Sequence, residues 1–296
     1  MTYDTIEIFK GGTIHHGKCN DRIYLIKSPS NPPPTYPRDL IDLARDNNYS
    51  KIFAKVPEHL AVVFAEAGYV EEALIPSFFS GKEAAVFMSF FLKPERMAEV
   101  NLSDMENVMD IVRQRNQTKR LPLPRKRFSL RKCNKTDIPV LAEIYKKVFA
   151  SYPFPINDPA YLAETMDSHV DYFAIETDGK IISVSSVEKD LDDKNAELTD
   201  FATLPRWRGN GFAQLLLAEM ECYIKKLKIK TAYTIARAIS PGMNIPFKKS
   251  GYSFCGRLRN NTNISGRIES MNVWYKSINN ANCMVHCGNL LYSRRK

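Results

Sequence analysis

Apolar positions along the chain switch between a period of two and a period near 3.6, and the switches mark the elements. Residues 5–9 and 22–26 alternate loosely and read as two strands joined by a Gly-rich turn that carries His15 and His16. The Pro-rich stretch 28–37 reads as a loop. A helix is expected over 38–47, a strand over 51–56, a helix over 58–67 closed by Gly68, and an apolar strand over 84–92. Another helix is expected over 95–115. Residues 128–131 then open a strand, and Thr136-Asp137 cap a helix over 138–150 with an apolar face of Val140, Leu141, Ile144, Val148 and Phe149. After an interruption at 151–159, a short helix covers 160–166. Strands over 172–176, 180–188 and 197–203 form an antiparallel meander, its first turn at Asp178-Gly179. A helix opens near Phe212, with Ala213, Leu216, Leu217, Met220, Ile224 and Leu227 on one stripe. A strand over 231–237, a helix ending at 246–250 and two strands framing Gly266 complete the order β-α-α-β-β-β-α-β-α-β-β over 128–276.

The two halves echo each other. Ala67-Gly68-Tyr69, then Phe79-Ser80-Gly81-Lys82 and a strand, matches Ser250-Gly251-Tyr252, then Ile264-Ser265-Gly266-Arg267 and a strand. The expected organisation is therefore an N-terminal unit over 1–116, a basic Pro-containing linker over 117–127, a second unit over 128–278 and a tail over 279–296.

Composition narrows the function classes. With 44% apolar and 25% charged residues among 296, the chain is of ordinary globular type. No apolar run approaches the ~20 residues of a membrane span, and the first ten residues lack a signal peptide's apolar core, so a cytoplasmic protein is expected. Six scattered cysteines argue against a disulfide framework. The net charge of +9 is local: residues 113–135 hold ten Lys/Arg and no acid, and without them 32 basic residues face 33 acidic ones. With no aromatic residue interleaved before Phe128, this segment reads as a solvated connector rather than a nucleic-acid site. The tail's Cys283, His286 and Cys287 lack a fourth ligand and the spacing for zinc, as do His15-His16, so no metal is expected.

The chemistry gathers at Arg208-Gly209-Asn210-Gly211-Phe212-Ala213, where a strand gives way to a helix. Small residues there let backbone N–H groups approach a phosphate, and the helix N-terminus adds unpaired donors. No Gly-Lys-Ser/Thr follows, and a third glycine is missing, which excludes a nucleoside-triphosphate loop and a dinucleotide fingerprint. Together with the preceding strand, in which Glu197-Leu198, Ala202 and Pro205 recur at set spacing, the loop resembles the acyl-CoA motif of the GNAT superfamily of N-acetyltransferases.

That resemblance implies an α/β (α+β) GNAT fold, a mixed, mostly antiparallel sheet flanked by helices, with a degenerate GNAT-like N-terminal domain. It implies acetyl-CoA as co-substrate, with pantetheine against Phe201, Ala202 and Thr203. The pyrophosphate would lie on Arg208, Gly209, Asn210, Gly211, Phe212, Ala213 and Gln214, with Arg206 and Lys248 near outer phosphates. Ser240 falls at the place of the family's CoA-contacting asparagine, and Asn244 lies one turn further along. Glu197 occupies the place of the family's catalytic glutamate; Glu188 and Asp200 are alternatives. Strict strand alternation puts Glu197, Thr199, Phe201 and Thr203 on one face and Asp200 on the other. The chain departs from the family at Phe247, where many members carry a tyrosine that protonates the leaving thiolate.

The loop at 151–156 and the stretch 236–244 further resemble the β-lysine N-acetyltransferases, which make the compatible solute N(ε)-acetyl-β-lysine. A small-molecule diamino acid needs a carboxylate for its far ammonium and a cation for its own carboxylate. Asp158, Glu188 and Arg237 are candidates, with Tyr152 and Phe154 as walls. Two other readings stay open: the same chemistry on another amine (polyamine, amino acid or protein), and a non-catalytic CoA-responsive binding protein.

Overall fold

Where apolar and β-branched runs are long, the expected elements form; where polar residues interrupt them, the fold departs from expectation. The computed structural model describes residues 3–117 and 128–278, so residues 118–127 of the expected linker and the whole expected tail lie outside the described residues. The N-terminal end holds three strands rather than two: β1 (Thr5–Phe9), β2 (Gly12–Gly17) and β3 (Arg22–Lys27), with a tight turn at Lys10-Gly11. His15 and His16 belong to β2, not to a turn. His15 is buried and stacks on Phe154 with ring centroids 4.5 Å apart, so an imidazole stands where an apolar residue would have betrayed the strand.

Next come α1 (Tyr36–Asp46), β4 (Lys51–Pro57), α2 (Glu58–Glu66) and the hairpin β5 (Val70–Phe79) and β6 (Glu83–Phe91). The helix expected over 95–115 is broken into a 3₁₀ turn, Pro94–Arg96, and α3 (Leu102–Arg113). Arg96 explains the break: it turns inward and donates to the carbonyls of Asn20 and Asn260, both at 2.7 Å, and to Ser50 Oγ at 3.1 Å. A continuous helix would pull that guanidinium away from its acceptors.

The second half runs β7 (Ser129–Lys132), α4 (Ile138–Val148), α5 (Pro159–Ser168), β8 (Val170–Thr177), β9 (Lys180–Asp190) and β10 (Asn195–Thr203). It closes with α6 (Phe212–Lys226), β11 (Thr231–Arg237), α7 (Pro241–Lys249), β12 (Ser253–Ile264) and β13 (Arg267–Ser277). A 3₁₀ turn precedes α4; Asn134 opens that turn, accepting from Thr136 N at 2.8 Å, and Asp137, which accepts from Asn134 N at 2.8 Å, stands at the N-cap of α4 as expected.

All thirteen described strands join in one sheet, ordered β1-β2-β3-β4-β6-β5-β12-β13-β11-β10-β9-β8-β7. Read outward from the β5–β12 seam, the two arms correspond. β4-β6-β5 mirrors β11-β13-β12, and each arm contains one parallel pair, β3 with β4 and β10 with β11. In that correspondence Tyr24, opposite Phe53, takes the register place of Glu197, opposite Tyr233. Helices α1 and α2 cover the first arm around Phe64 and Tyr69; α6 and α7 cover one face of the second, and α4 and α5 the other.

The seam demands close backbone approach. A Cβ on Gly256, at φ +147°, would lie 2.2 Å from the Glu72 carbonyl oxygen. Beside it Glu72 accepts from Lys51 Nζ at 2.8 Å and from Arg259 N and Nε at 2.9 and 3.0 Å, with the Lys51 and Glu72 side chains wholly buried. Burial draws the Lys51 ammonium down to about 8 even with this partner. Glu72→Leu is therefore expected to cost about 3–5 kcal/mol, because it strands a buried cation. A urea titration checks this, and a loss under about 1 kcal/mol would show that Lys51 needs no counter-charge.

Candidate active site

Strands β10 and β11 pair at only three positions, Asn195↔Thr231, Ala196↔Ala232 and Glu197↔Tyr233, and then diverge. On its other side β10 stays paired to β9 as far as Thr203↔Ser183. The backbone edge of residues 198–203 that faces β11 is left without a strand partner, and Glu197 stands at the vertex of the opening. Phe201, Ala202 and Thr203 lie along this edge. Phe201 packs edge-on against the buried Phe247, with centroids 5.7 Å apart, and the Thr203 and Ser183 hydroxyls meet at 2.7 Å.

A bulge interrupts β10 between Thr199 and Ala202, with Asp200 at φ +53°. The alternation expected for an even strand, with Asp200 on the face opposite Glu197, is thereby overturned. The extra residue resets the parity and turns Asp200 into the same cavity as Glu197. Ser186 Oγ donates to Asp200 Oδ2 at 2.6 Å, and Tyr152 Oη donates to Oδ1. Glu188, directly opposite Glu197 on β9, completes a group of three carboxylates lining one cavity.

Burial and mutual repulsion both favour the neutral forms of these acids. Burial pushes the Glu197 carboxyl up to about 7, with Asp200 adding to the rise and the Lys55 ammonium opposing it. Glu188 is raised strongly by burial, then by Glu197 and Asp200. Asp200 is raised by burial, against the hydrogen bonds from Ser186 and Tyr152. Lys55 reaches in from β4 over the rings of Phe78 and Tyr233, at 5.2 and 5.7 Å, and burial lowers its own pKa. A carboxyl poised near neutrality beside an open slot is what proton removal from an amine requires.

The loop after β10 begins with a 3₁₀ turn, Pro205–Trp207. Gly209 and Gly211 sit at φ +78° and +76°, a backbone region open to glycine at little cost. Gly211 is the N-cap of α6 and supplies no capping side chain, so the first-turn N–H groups of Phe212 and Ala213 have no helical acceptor, while Gln214 N donates to Gly211 O at 3.1 Å. Asn210 Nδ2 donates to Trp207 O at 2.9 Å, Arg208 Nε donates to Thr203 O at 3.2 Å, and Phe212 anchors the turn against Phe128, with centroids 5.0 Å apart. A Cβ on Gly209 would meet nothing within 4 Å. The loop thus has donors, a positive helix end and room, the elements of an anion cradle.

Other expected residues fall unevenly. Tyr152, Phe154 and Arg237 line the cavity. Arg237 is bound in a two-pronged pair with Glu269 at 2.7 and 2.8 Å, so its charge is already answered. Asp158 is not at the site; it is exposed and caps α5, accepting from Ala160 N at 2.9 Å, because Asp-Pro at a helix start is a capping sequence. Asn244 does not line the cavity either. It is fully buried, its Nδ2 donating to the carbonyls of Arg237 and Ser240 and its Oδ1 accepting from Asn272 and Trp274. Those four bonds lock the β11–α7 turn and leave no group to offer. Ser240 is half-buried at the N-cap of α7 with no side-chain capping bond.

Sequence reading missed the contribution of the first arm. Arg22, Tyr24 and Ile26 from β3, and Phe53 and Lys55 from β4, line the same cavity. Arg22 and Lys55 at inward positions of apolar strands were the available signal, since unpaired charges there are rare without a task.

Residues 140–240 match the model of the acetyltransferase (GNAT) family. Over 257 residues the chain is 39% identical to the beta-lysine N(6)-acetyltransferase of Methanococcus maripaludis, covering 87% of this chain and 93% of that one. The Methanosarcina mazei beta-lysine N(6)-acetyltransferase is 30% identical over 261 residues, 80% of this chain and 94% of its own. The N-acetyltransferase YodP of Bacillus subtilis is 29% identical over 265 residues, 90% and 95% of the two chains. Splayed strands, glycine loop and extended likeness agree: the chain is an N-acetyltransferase and belongs to the GNAT family.

Proposed function

We propose that this enzyme transfers the acetyl group of acetyl-CoA to the terminal amine of β-lysine, forming N(ε)-acetyl-β-lysine as a compatible solute in the cytoplasm. The observation that carries the reading is the placement of Glu197 at the vertex of the β10–β11 opening, within a cavity walled by three carboxylates. The likeness to two beta-lysine N(6)-acetyltransferases over most of their length supports the acceptor.

The residues present suit acetyl-CoA. The turn of residues 208–214 would hold the pyrophosphate, with Arg206 and Lys248 near outer phosphates, and the unpaired edge of residues 198–203 would take pantetheine. Ser240 remains a candidate contact. A primary ammonium has a pKa near ~10.4 and arrives protonated. Its charge favours the ionised forms of Glu188, Glu197 and Asp200, and Glu197 takes its proton, directly or through water. The freed lone pair attacks the thioester carbonyl, whose growing negative charge a backbone N–H near Phe201 would stabilise. Phe247 has no proton to donate, so sulfur departs as thiolate, which a thiol of pKa near ~8.5 tolerates, and the extra proton left on nitrogen after attack passes to water as the amide forms. A CoA-responsive binding protein would have no use for three carboxylates at the mouth of this slot.

We further propose that residues 1–116 are a degenerate GNAT-like unit without a phosphate loop, joined by the 117–127 segment to the catalytic unit of 128–278. The mirrored order of the two arms supports this. Thiol release from acetyl-CoA, measured with β-lysine, α-lysine, ornithine, polyamines and a peptide, tests the function. Turnover with β-lysine at least about tenfold above every other amine, the factor one lost contact is worth, is the expected result. Preference for a polyamine or the peptide would discard the acceptor.

A further inference from the structure

Arg22 is a charged group in this cavity that no step so far has used. It sits on β3, in the arm that lacks a phosphate loop, and is 3% exposed. Its Nη1 donates to the carbonyl of Asn261 and, at 3.3 Å, to Thr262 Oγ1. Its Nε is buried with no hydrogen-bond partner, and no ion pair to Arg22 occurs among the described residues. A buried guanidinium with no anion is costly, and an unmet N–H beside a cavity calls for a partner.

The other cations near the cavity stand beside carboxylates. Arg237 is neutralised by Glu269, and Lys55, whose pKa burial lowers, feels the opposing pull of Glu197, Asp190 and Glu188. The charges that act most on Arg22 are different: Arg96 repels it, while Tyr24, Asp4 and Cys19 act more weakly in the opposite sense. Burial and Arg96 together lower its pKa to about 10, as expected where a positive group lacks a counter-ion. The cavity is thus divided, with a carboxylate-rich part at Glu188, Glu197 and Asp200 and a cationic part at Arg22. An acceptor that complements both carries an ammonium at one end and an anion at the other.

We infer that Arg22, delivered by the N-terminal unit, binds the carboxylate of the acceptor and makes the enzyme selective for amino acids over plain diamines. The inference rests on the proposed reading that this cavity receives the acceptor, but it does not depend on which amino acid that is. The planar fork of arginine matches a carboxylate, and the Tyr24 and Phe53 rings, 5.5 and 5.6 Å from its guanidinium, keep water from competing.

The test compares β-lysine with its carboxamide, which keeps both amines and the shape but loses the anion, in wild type, Arg22→Gln and Arg22→Lys. Wild type is expected to favour the acid in kcat/KM by about 30-fold or more. Arg22→Gln should lose that preference through a raised KM for the acid, while turnover of the amide is kept; Arg22→Lys should fall between. Melting temperature and acetyl-CoA affinity are measured for each variant, and the wild-type ratio of acid to amide needs no variant at all. Equal use of acid and amide by wild type, or equal losses on both in a folded Arg22→Gln, would overturn the inference. If β-lysine is inert and α-lysine is acetylated, the proposed acceptor fails, and the same ratio for α-lysine and its amide decides Arg22. If only amines without a carboxylate react, the Arg22 inference fails with the acceptor.

Discussion

Glu197→Gln is expected to lower kcat at pH 7 by about 10²–10⁴, the range of a lost general base, while the affinity for acetyl-CoA stays unchanged. Glutamine keeps the shape and loses only the capacity to take a proton. The pH profile separates this role from a structural one. A base must be ionised to act, and burial with Asp200 nearby raises the Glu197 carboxyl to about 7. In wild type, log kcat/KM should therefore climb through about pH 7 and level off above it. Below that point it should fall about tenfold per pH unit. In the profile of kcat the inflection should move down, because a bound ammonium favours the carboxylate. Glu197→Gln should lose the inflection and keep rising with pH, since only amine already deprotonated in solution reacts. If Glu188→Gln or Asp200→Asn removes the inflection instead, the proton goes to that residue. Unchanged turnover in Glu197→Gln would remove it as base.

Gly209→Asp is expected to weaken acetyl-CoA binding by about 100-fold or more, with a stability cost of only about 1 kcal/mol. Two facts separate binding from folding here. A Cβ at this position meets nothing within 4 Å, so the folded chain has room for it. Aspartate also tolerates the left-handed backbone better than most residues, so the φ of +78° is survivable. What the substitution changes is the charge presented to a pyrophosphate at the start of α6, where the helix end and the unpaired N–H groups favour an anion. Calorimetric titration with CoA, alongside a melting curve, checks both parts. Unaltered affinity would mean that the pyrophosphate lies elsewhere. A large fall in melting temperature would mean that the glycine serves the fold.

Local signals carried much of this protein. The glycine loop and the amphipathic α6 were legible because each depends on residues adjacent in sequence. The meander β8–β10 was equally plain from alternation and its Asp178-Gly179 turn. Asp158 misled for the same reason: a carboxylate before proline and a short helix is first of all a cap, and its capping bond holds it at the surface. Asn244 misled because motif position says nothing about which backbone groups a side chain can reach, and four nearby partners claimed it. The strand β2 was hidden because His15 is buried as an apolar residue would be.

The sequence by itself determined the strand–loop–helix that can cradle a pyrophosphate and the order of elements over 128–276, since backbone preference and apolar period act over a few residues; Glu197 as the first choice of base came from the resemblance to the GNAT family. Only the tertiary structure decided that Asp200 joins Glu197 in one cavity, because a single bulge resets strand parity, and parity has no local sequence signature. It alone decided, too, that Arg22, Tyr24 and Lys55 line the same cavity as Glu197, more than 140 residues away. That juxtaposition arises from the sheet, whose two arms meet at the close-packed seam around Gly256 and carry their inward faces to a shared cavity. Pairing between distant strands is set by packing and by buried charges such as Lys51 and Glu72, and those exist only once both arms have folded.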